Sequence, residues 1–335
     1  MELNISNLSD FVKNAKILFL KGLDSVQMVA RNSGLFRMDP VAQNTGNTRE
    51  YSEIDIQQYA RRKGQSAQAE RARVVQGYSK IGQLYRVASD IGISYEMRTQ
   101  NKYPEVIAKL TNLGSLASRR LELDLSHRIG FGTATAYTDM DGVSVDVTVG
   151  DGLALFSTVH TLKGSSSTFR NILANNPSFS KGALEGMEKL VVEQTLNHLG
   201  EKVTLSHDIL FSTDDPNTVN LIKEHLKSTA SPDAINSGVM NVNFAKYKHV
   251  ILPLLATTAT GAVDTTKAKY WGLASSMGSQ AFLGMAEEPR LKTPSEGNNG
   301  EEFSTDDWNF GVRAGWFIVI AGANWVKISK GDGSI

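Results

Sequence analysis

Regularly spaced apolar residues predict one long helix between residues 104 and 128. Six of them recur at three- and four-residue steps and so share one face: Val106, Leu110, Leu113, Ala117, Leu121 and Leu125. Pro104 suits the first helical position, and Gly130-Phe131-Gly132 would end the helix. At 1.5 Å per residue this helix is about 37 Å long, enough to form the backbone of a domain.

Residues 51–92 follow a different pattern, which predicts a long β-hairpin. In the first stretch Tyr51, Glu53, Asp55 and Gln57 alternate with Ser52, Ile54, Ile56 and Gln58. The second stretch carries Val75, Tyr78, Ile81, Leu84, Tyr85 and Val87 among polar residues, and the charged stretch 61–73 separates the two. A mobile surface loop is the alternative. The hairpin has too few large apolar residues to bury both faces, so it needs a surface to lie on.

The rest of the chain mixes short helices and strands, which predicts an α+β fold. Further helices are predicted near Leu8–Leu20, at 180–200 with Ser180 as cap and Gly200 as stop, and from Asp215-Pro216 onwards. Strands are predicted at 143–149, 203–211, 250–255 and 270–274, and two more between 312 and 327 with Gly322 between them.

Composition excludes several classes of protein. The chain has 335 residues and no cysteine, which rules out a disulfide framework, a zinc–thiolate site and a cysteine nucleophile. Its 35 basic and 35 acidic residues give a net charge of zero, which argues against a dedicated nucleic-acid binder. No signal peptide is evident, and no stretch reaches the roughly 18 apolar residues of a membrane span. We therefore expect a soluble protein with no membrane partner.

No convergent catalytic motif is present. The six histidines lack metal-ligand spacing, and no nucleophile elbow or phosphate-binding loop occurs. Four acidic pairs could serve a hydrolase: Asp214-Asp215, Glu287-Glu288, Glu301-Glu302 and Asp306-Asp307. Adjacent acids in polar loops are more often helix caps. We therefore predict no catalytic, cofactor-binding or metal-binding residue, and no enzyme.

Five basic residues form the sharpest charge feature: Arg61, Arg62, Lys63, Arg71 and Arg73. They could contact nucleic-acid phosphates, meet an acidic face of a neighbouring subunit, or remain solvated. We favour the subunit contact. An extended arm and a hairpin that cannot bury their own surface are typical of a protein that assembles with copies of itself.

Two segments carry a family resemblance. The first runs from Phe303-Ser304-Thr305-Asp306-Asp307-Trp308 through Gly315-Trp316 and Ala321-Gly322-Ala323-Asn324-Trp325 to Lys330-Gly331-Asp332-Gly333. The second is Leu155-Phe156-Ser157-Thr158-Val159-His160-Thr161, followed by Asn175-Asn176-Pro177. Both resemble major capsid proteins of tailed bacteriophages, in the Mu-like head-subunit group.

The resemblance implies a Hong Kong 97-type capsid fold and a division of the chain. Residues 1–45 would form an N-terminal arm, and 46–92 an extended loop that reaches over a neighbouring subunit. Residues 93–154 and 276–335 would form the peripheral domain, with 104–128 as its spine helix. Residues 155–275 would form the axial domain.

The resemblance also implies a function. The chain would be a major head protein, made in the host bacterial cytoplasm and located in the virion, whose pentamers and hexamers build an icosahedral shell around double-stranded DNA. Its partners would be its own copies, a portal, a separate scaffolding protein and the packaged DNA, bound non-specifically. We expect no fused scaffold, no maturation cleavage and no lysine–asparagine cross-link. The alternatives are a soluble hydrolase using an acidic pair, or a tail or decoration protein.

Overall fold

The computed structural model describes residues 8–40, 47–100, 103–230, 240–294 and 306–334. The helices are α1 (Leu8–Asp24), α2 (Val29–Asn32), α3 (Tyr95–Thr99), α4 (Tyr103–Gly130), α5 (Lys181–Glu193) and α6 (Pro216–Lys227). The first strands are β1 (Arg37–Pro40), β2 (Thr48–Ile56), β3 (Val74–Gln83), β4 (Tyr85–Ile93), β5 (Ala136–Thr138), β6 (Ser144–Asp146) and β7 (His160–Leu162). The others are β8 (Ser165–Phe169), β9 (Ile209–Ser212), β10 (Lys248–Ile251), β11 (Trp271–Ala274), β12 (Ala281–Lys292), β13 (Trp308–Ile320) and β14 (Val326–Ser329).

The long helix is α4, which confirms the helix predicted at 104–128. Its apolar face is buried, and α1 packs against it through Phe11, Ala15 and Phe19. The two backbones touch where they cross: a Cβ at Gly22 would lie 1.9 Å from the Thr111 oxygen, and one at Gly114 would lie 2.1 Å from the Phe19 oxygen. Glycine at both positions therefore sets how closely α1 approaches α4.

A four-stranded sheet, the first sheet, lies beside α4 in the order β1-β12-β13-β4. β1 runs parallel to β12, and the other two pairs are antiparallel. The sequence patterns did not indicate β12, because Glu287, Glu288 and Pro289 are more typical of a loop. The structure tolerates Pro289 because it lies beyond the part of β12 that pairs with β1, beside a register shift between Glu287 and Arg290.

A second sheet has the order β10-β9-β11-β14. With α5 and α6 it encloses a separate apolar cluster that includes Leu184, Met187, Ile222 and Trp271. The two strands predicted between residues 312 and 327 are present as β13 and β14, but they lie in different sheets. β14 pairs antiparallel with β11, so the range 276–335 is divided between the two sheets.

The predicted helix starts are confirmed, whereas one predicted helix end is wrong. The Ser180 side chain accepts a hydrogen bond from the Ala183 N–H, and Asp215 accepts one from Thr218, as expected of N-caps. However, α5 ends at Glu193 rather than at Gly200. Asn197 is the reason, because its side-chain oxygen accepts the Leu199 and Glu201 N–H groups at 3.1 and 2.8 Å and folds this segment into a turn.

The predicted hairpin is present and consists of the antiparallel strands β2 and β3. It is shorter than the pattern suggested, because β3 ends at Gln83 and β4 joins the first sheet instead. Residues 58–74, which we call the hairpin tip, are all exposed.

Candidate subunit contact surface

The five predicted contact residues all lie in the hairpin tip. The Arg61 guanidinium is 3.0 Å from Glu70 Oε1, and Arg73 Nη2 donates to the Gly164 oxygen at 3.3 Å. The other three, Arg62, Lys63 and Arg71, make no ion pair within the described ranges. Glu70 is the one acidic residue of the tip. The tip therefore presents a net positive charge to solvent.

The two faces of the hairpin are reversed relative to an ordinary surface hairpin. Four of its five aliphatic side chains point to solvent, with Ile54 65%, Ile56 52%, Val74 58% and Ile81 61% exposed, whereas Val75 is half-buried. Ile56 is paired with Val74 across the strands, and Ile54 lies two residues along the same face. The inner face instead carries Tyr51, Glu53 and Asp55. Ile54, Ile56 and Val74 are thus exposed side by side at the outer end of this face.

The root of the hairpin is attached to the first sheet by aromatic contacts. The Tyr51 ring stacks on Phe282, with the ring centroids 4.2 Å apart, and lies 6.1 Å from the Phe317 ring. Its hydroxyl donates to Asp39. Burial and this hydrogen bond raise the pKa of Tyr51, so the hydroxyl keeps its proton.

The outer half of the hairpin is held on its own chain by polar groups. Glu53 hydrogen-bonds to His198 Nε2, and Asp55 Oδ2 accepts the His198 backbone N–H at 2.6 Å. Lys163 Nζ donates to the Gly77 oxygen at 3.1 Å, and the Tyr78 and Thr161 hydroxyls are 2.9 Å apart. A Cβ at Gly77 would lie 2.4 Å from His198 Nε2, so only glycine lets the imidazole reach Glu53.

The charges around His198 favour its protonated form. Burial opposes the positive charge, but the hydrogen bond to Glu53 and the negative charges of Glu53 and Asp55 outweigh it and raise the pKa of His198. Lys163 acts in the opposite direction. The alternation of residues 51–58 placed Glu53 and Asp55 on one face, but nothing local could indicate His198, which lies more than 140 positions away.

The acidic pairs within the described ranges do not converge on one site. Asp215 caps α6, as expected. Glu287-Glu288 lies in β12 rather than in a polar loop, so that prediction was wrong; Glu287 is 2.9 Å from Arg313. Glu301-Glu302 falls outside the described residues. Within the described ranges, no group of three or more histidine, aspartate and glutamate side chains could hold a metal ion, and no helix is long and apolar enough to cross a bilayer.

No protein-family model and no curated protein sequence matches this chain. Solved structures do match it. One from Gordonia phage Cozz has a TM-score of 0.51 and 12% sequence identity, over 90% of this chain and 85% of that chain. The chain has the Hong Kong 97-type fold. This confirms the predicted fold class, an α+β fold of that type.

Two further solved structures are similar over most of their length. The capsid of Myoviridae phage XM1 has a TM-score of 0.48 and 12% identity, over 90% of this chain and 91% of that chain. The capsid structure of cyanophage P-SCSP1u has a TM-score of 0.49 and 9% identity, over 88% and 85%.

Proposed function

We propose that this chain is the major capsid protein of a tailed bacteriophage or prophage, in the Mu-like head-subunit group. Its copies form pentamers and hexamers that build an icosahedral shell around double-stranded DNA. The observation that carries the proposal is the reversed hairpin: on a Hong Kong 97-type fold, a projecting hairpin turns aliphatic residues and a basic tip away from its own subunit.

A second copy of the chain is the partner that fits this surface. The exposed face formed by Ile54, Ile56 and Val74 is apolar, while the adjoining tip is basic. Because the net charge is zero, acidic surface is available on other copies to balance the tip. A contact between a hairpin and a different surface of its neighbour is heterologous, and heterologous contacts that close generate rings.

The proposal assigns a role to each part of the chain. Residues 1–45 are the arm, and residues 46–92 are the extended loop. Residues 93–154 and 276–335 form the peripheral domain around α4, except that β14 belongs with the second sheet. Residues 155–275 are the axial domain, which meets its copies around the five- and six-fold axes. The other partners are the portal, a separate scaffolding protein and DNA, which is held non-specifically. Formation of the shell requires no catalytic residue.

Particle formation tests the proposal. The purified chain should sediment as large closed shells that are visible by negative-stain electron microscopy. Replacing residues 57–73 by Asn-Gly keeps a two-residue turn between β2 and β3 while removing the tip. We expect this variant to fold but not to form shells. A monodisperse monomer from the full chain, with hydrolase activity, would overturn the proposal.

Paired substitutions test the aliphatic face directly. Ile54→Thr with Ile56→Thr should abolish shells, because it removes apolar surface that a second copy would bury. The matched control is Val192→Thr with Val263→Thr, which makes the same kind of change at residues 53% and 82% exposed outside the hairpin. Normal shells from the hairpin variant would refute the contact assigned to this face.

A further inference from the structure

A β-bulge divides the hairpin at Glu53. The strand register passes from Ser52 opposite Ser79 to Ile54 opposite Gln76, so Glu53 faces two residues, Gly77 and Tyr78. A bulge of this kind bends and loosens a strand pair, and Gly77 adds backbone freedom at the same level. The hairpin thus has a bending point past the middle of its paired strands, nearer to the tip than to the root.

The two sides of this bulge differ in one kind of contact, because stacking on aromatic rings of the first sheet occurs only on the root side. On the root side, Tyr51 packs on aromatic rings of the first sheet, and two ion pairs, Lys80 with Asp146 and Arg49 with Asp39, add to this packing. On the outer side, the contacts to the rest of the chain are hydrogen bonds and charges, including Gln58 N–H to Glu201 Oε2 at 2.8 Å and Arg73 to the Gly164 oxygen. Aromatic packing is insensitive to pH, whereas contacts between charged groups change with protonation.

His198 is the centre of the outer contacts. The Glu53 and His198 side chains are only 14% and 9% exposed. His198 Nδ1 accepts the Lys163 backbone N–H at 3.3 Å, so Nε2 carries the proton that faces Glu53 even in the neutral ring. When Nδ1 is protonated as well, the ring gains a positive charge beside the carboxylates of Glu53 and Asp55. The same proton breaks the 3.3 Å hydrogen bond from the Lys163 N–H.

Several charged or titratable groups face His198. Glu53 and Asp55 approach from β2, Lys163 from the turn between β7 and β8, and the Tyr78 ring from β3 at 5.4 Å. The adjoining small cavity is also lined by Asp151 and His160, which hydrogen-bond to each other at 2.8 Å. Of these groups, Glu53, Asp55 and Lys163 are the charges that act on the protonation of the imidazole.

We propose that Glu53 and His198 form a protonation-dependent latch, and that the outer half of the hairpin swings away from its own subunit about the Glu53 bulge when the His198 ring becomes neutral. The latch is a property of the single subunit and does not depend on the proposed function. If the chain does form shells, the latch would keep the hairpin on its own subunit until conditions release it.

The direction of the pH dependence follows from the charges. The pKa of His198 in the docked state is raised above its ordinary value of 6.5. The stabilisation from the charged ring is therefore fully present below that value and is lost as the pH rises through the raised pKa. The hairpin should be docked in mild acid and released in mild alkali.

Spin-label distance measurements on unassembled subunits test the latch. Because the chain has no cysteine, Ala67→Cys in the tip and Val192→Cys on α5 provide two unique labelling sites. At about pH 5.5 we expect the shorter distance to predominate, and at about pH 9 we expect the population with the longer distance to be about tenfold larger than at the acidic pH. Glu53→Gln should show the longer population at both pH values. Glu50→Gln is the matched control, because Glu50 lies exposed on the same strand.

Three results would overturn the latch: one unchanged distance in the wild-type chain at both pH values, the longer distance at both, or the same behaviour from Glu53→Gln and Glu50→Gln. His198→Asn gives a second check, since it cannot be charged and should remove the pH dependence. Sedimentation of the same samples separates this test from the proposed function, because shell formation and hairpin position are measured independently.

Discussion

Arg120 joins α4 to the β5–β6 hairpin. Its guanidinium lies 2.9 Å from Asp124 on the same helix, and 2.9 and 2.8 Å from Asp139 and Asp141. The Asp124 side chain is 8% exposed and also accepts the Tyr85 hydroxyl at 2.9 Å. A buried carboxylate of this kind depends on its cation, because losing one partner leaves the other charge uncompensated.

Substitution of Arg120 should therefore be costly. Arg120→Met should lower the free energy of unfolding by about 3–5 kcal/mol, since it leaves Asp124 buried without its cation. Chemical denaturation of unassembled subunits measures this. Arg119→Met, at the exposed neighbouring position, should change the same quantity by less than about 0.5 kcal/mol. Equal effects from the two variants would contradict the role given to Arg120.

Lys327 is a second residue whose environment sets its charge. Its side chain is fully buried in β14, donates to the Gln194 oxygen at 3.1 Å, and lies 5.2 Å from the Phe169 ring centroid. Burial lowers the pKa of Lys327 to about 7. The unfolded chain holds this proton up to the ordinary pKa of 10.5, so stability should rise with pH between these two values.

A lysine-to-methionine exchange isolates this effect. At about pH 7, Lys327→Met should have a higher free energy of unfolding than the wild-type chain. This difference should shrink as the pH approaches 10, because the stability of the wild-type chain rises with pH and that of the methionine variant does not. Denaturant unfolding across this range measures the difference. A difference that is constant with pH would show that the buried amine does not titrate as described.

At the scale of elements, the sequence predicted what local chemistry determines. The stripe of α4 and the caps Ser180 and Asp215 depend on neighbours within a few residues, and the structure has them. The end of α5 and the strand β12 were missed, because a side-chain turn at Asn197 and a strand partner far along the chain override local preference. The hairpin was predictable, whereas the direction of its faces was not, because the residues that its inner face contacts, Phe282 and His198, lie far away in the sequence.

The crossing of α1 and α4 gives a test at this scale. Gly114→Ala should lower the free energy of unfolding by about 1–3 kcal/mol, because the new Cβ would lie 2.1 Å from the Phe19 oxygen. This loss should exceed the gain from the higher helix propensity of alanine. Gly182→Ala in α5 is the control: nothing lies within 4 Å of its Cβ, so it should be neutral or stabilising. Thermal unfolding of both variants measures the contrast. A stabilised Gly114→Ala would mean that the helices do not cross this closely.

For the whole molecule, the distribution of charge matters more than its sum. The net charge is zero, yet the hairpin tip carries five basic residues against one acidic residue. A local positive surface on a neutral chain can orient an approaching copy, while the zero net charge avoids overall repulsion between subunits. Such steering acts on the rate of association and weakens as salt screens it.

Salt dependence should therefore report on the tip. Arg62→Gln with Arg71→Gln should slow assembly of the proposed shells and flatten the dependence of the rate on salt, because two unpaired charges are lost. Arg62→Lys with Arg71→Lys preserves the charge and should behave like the wild-type chain. Light scattering during assembly measures both. Equal slowing by the two variants would indicate that guanidinium geometry, rather than charge, is what the neighbour recognises.

The strand order of the two sheets constrains when a newly made chain can finish folding. β1 pairs with residues 282–285, and β14 closes the second sheet only at residues 326–329. Two residues after β14 are also held by hydrogen bonds: Ser178 donates to the Gly331 oxygen, and Asn176 donates to the Ser334 oxygen. Neither sheet can therefore close until residues 308–329, which contain β13 and β14, have been synthesised. β1 therefore has no strand partner until β12, more than 240 residues later in the chain, has been made, and pairing over such a separation slows folding.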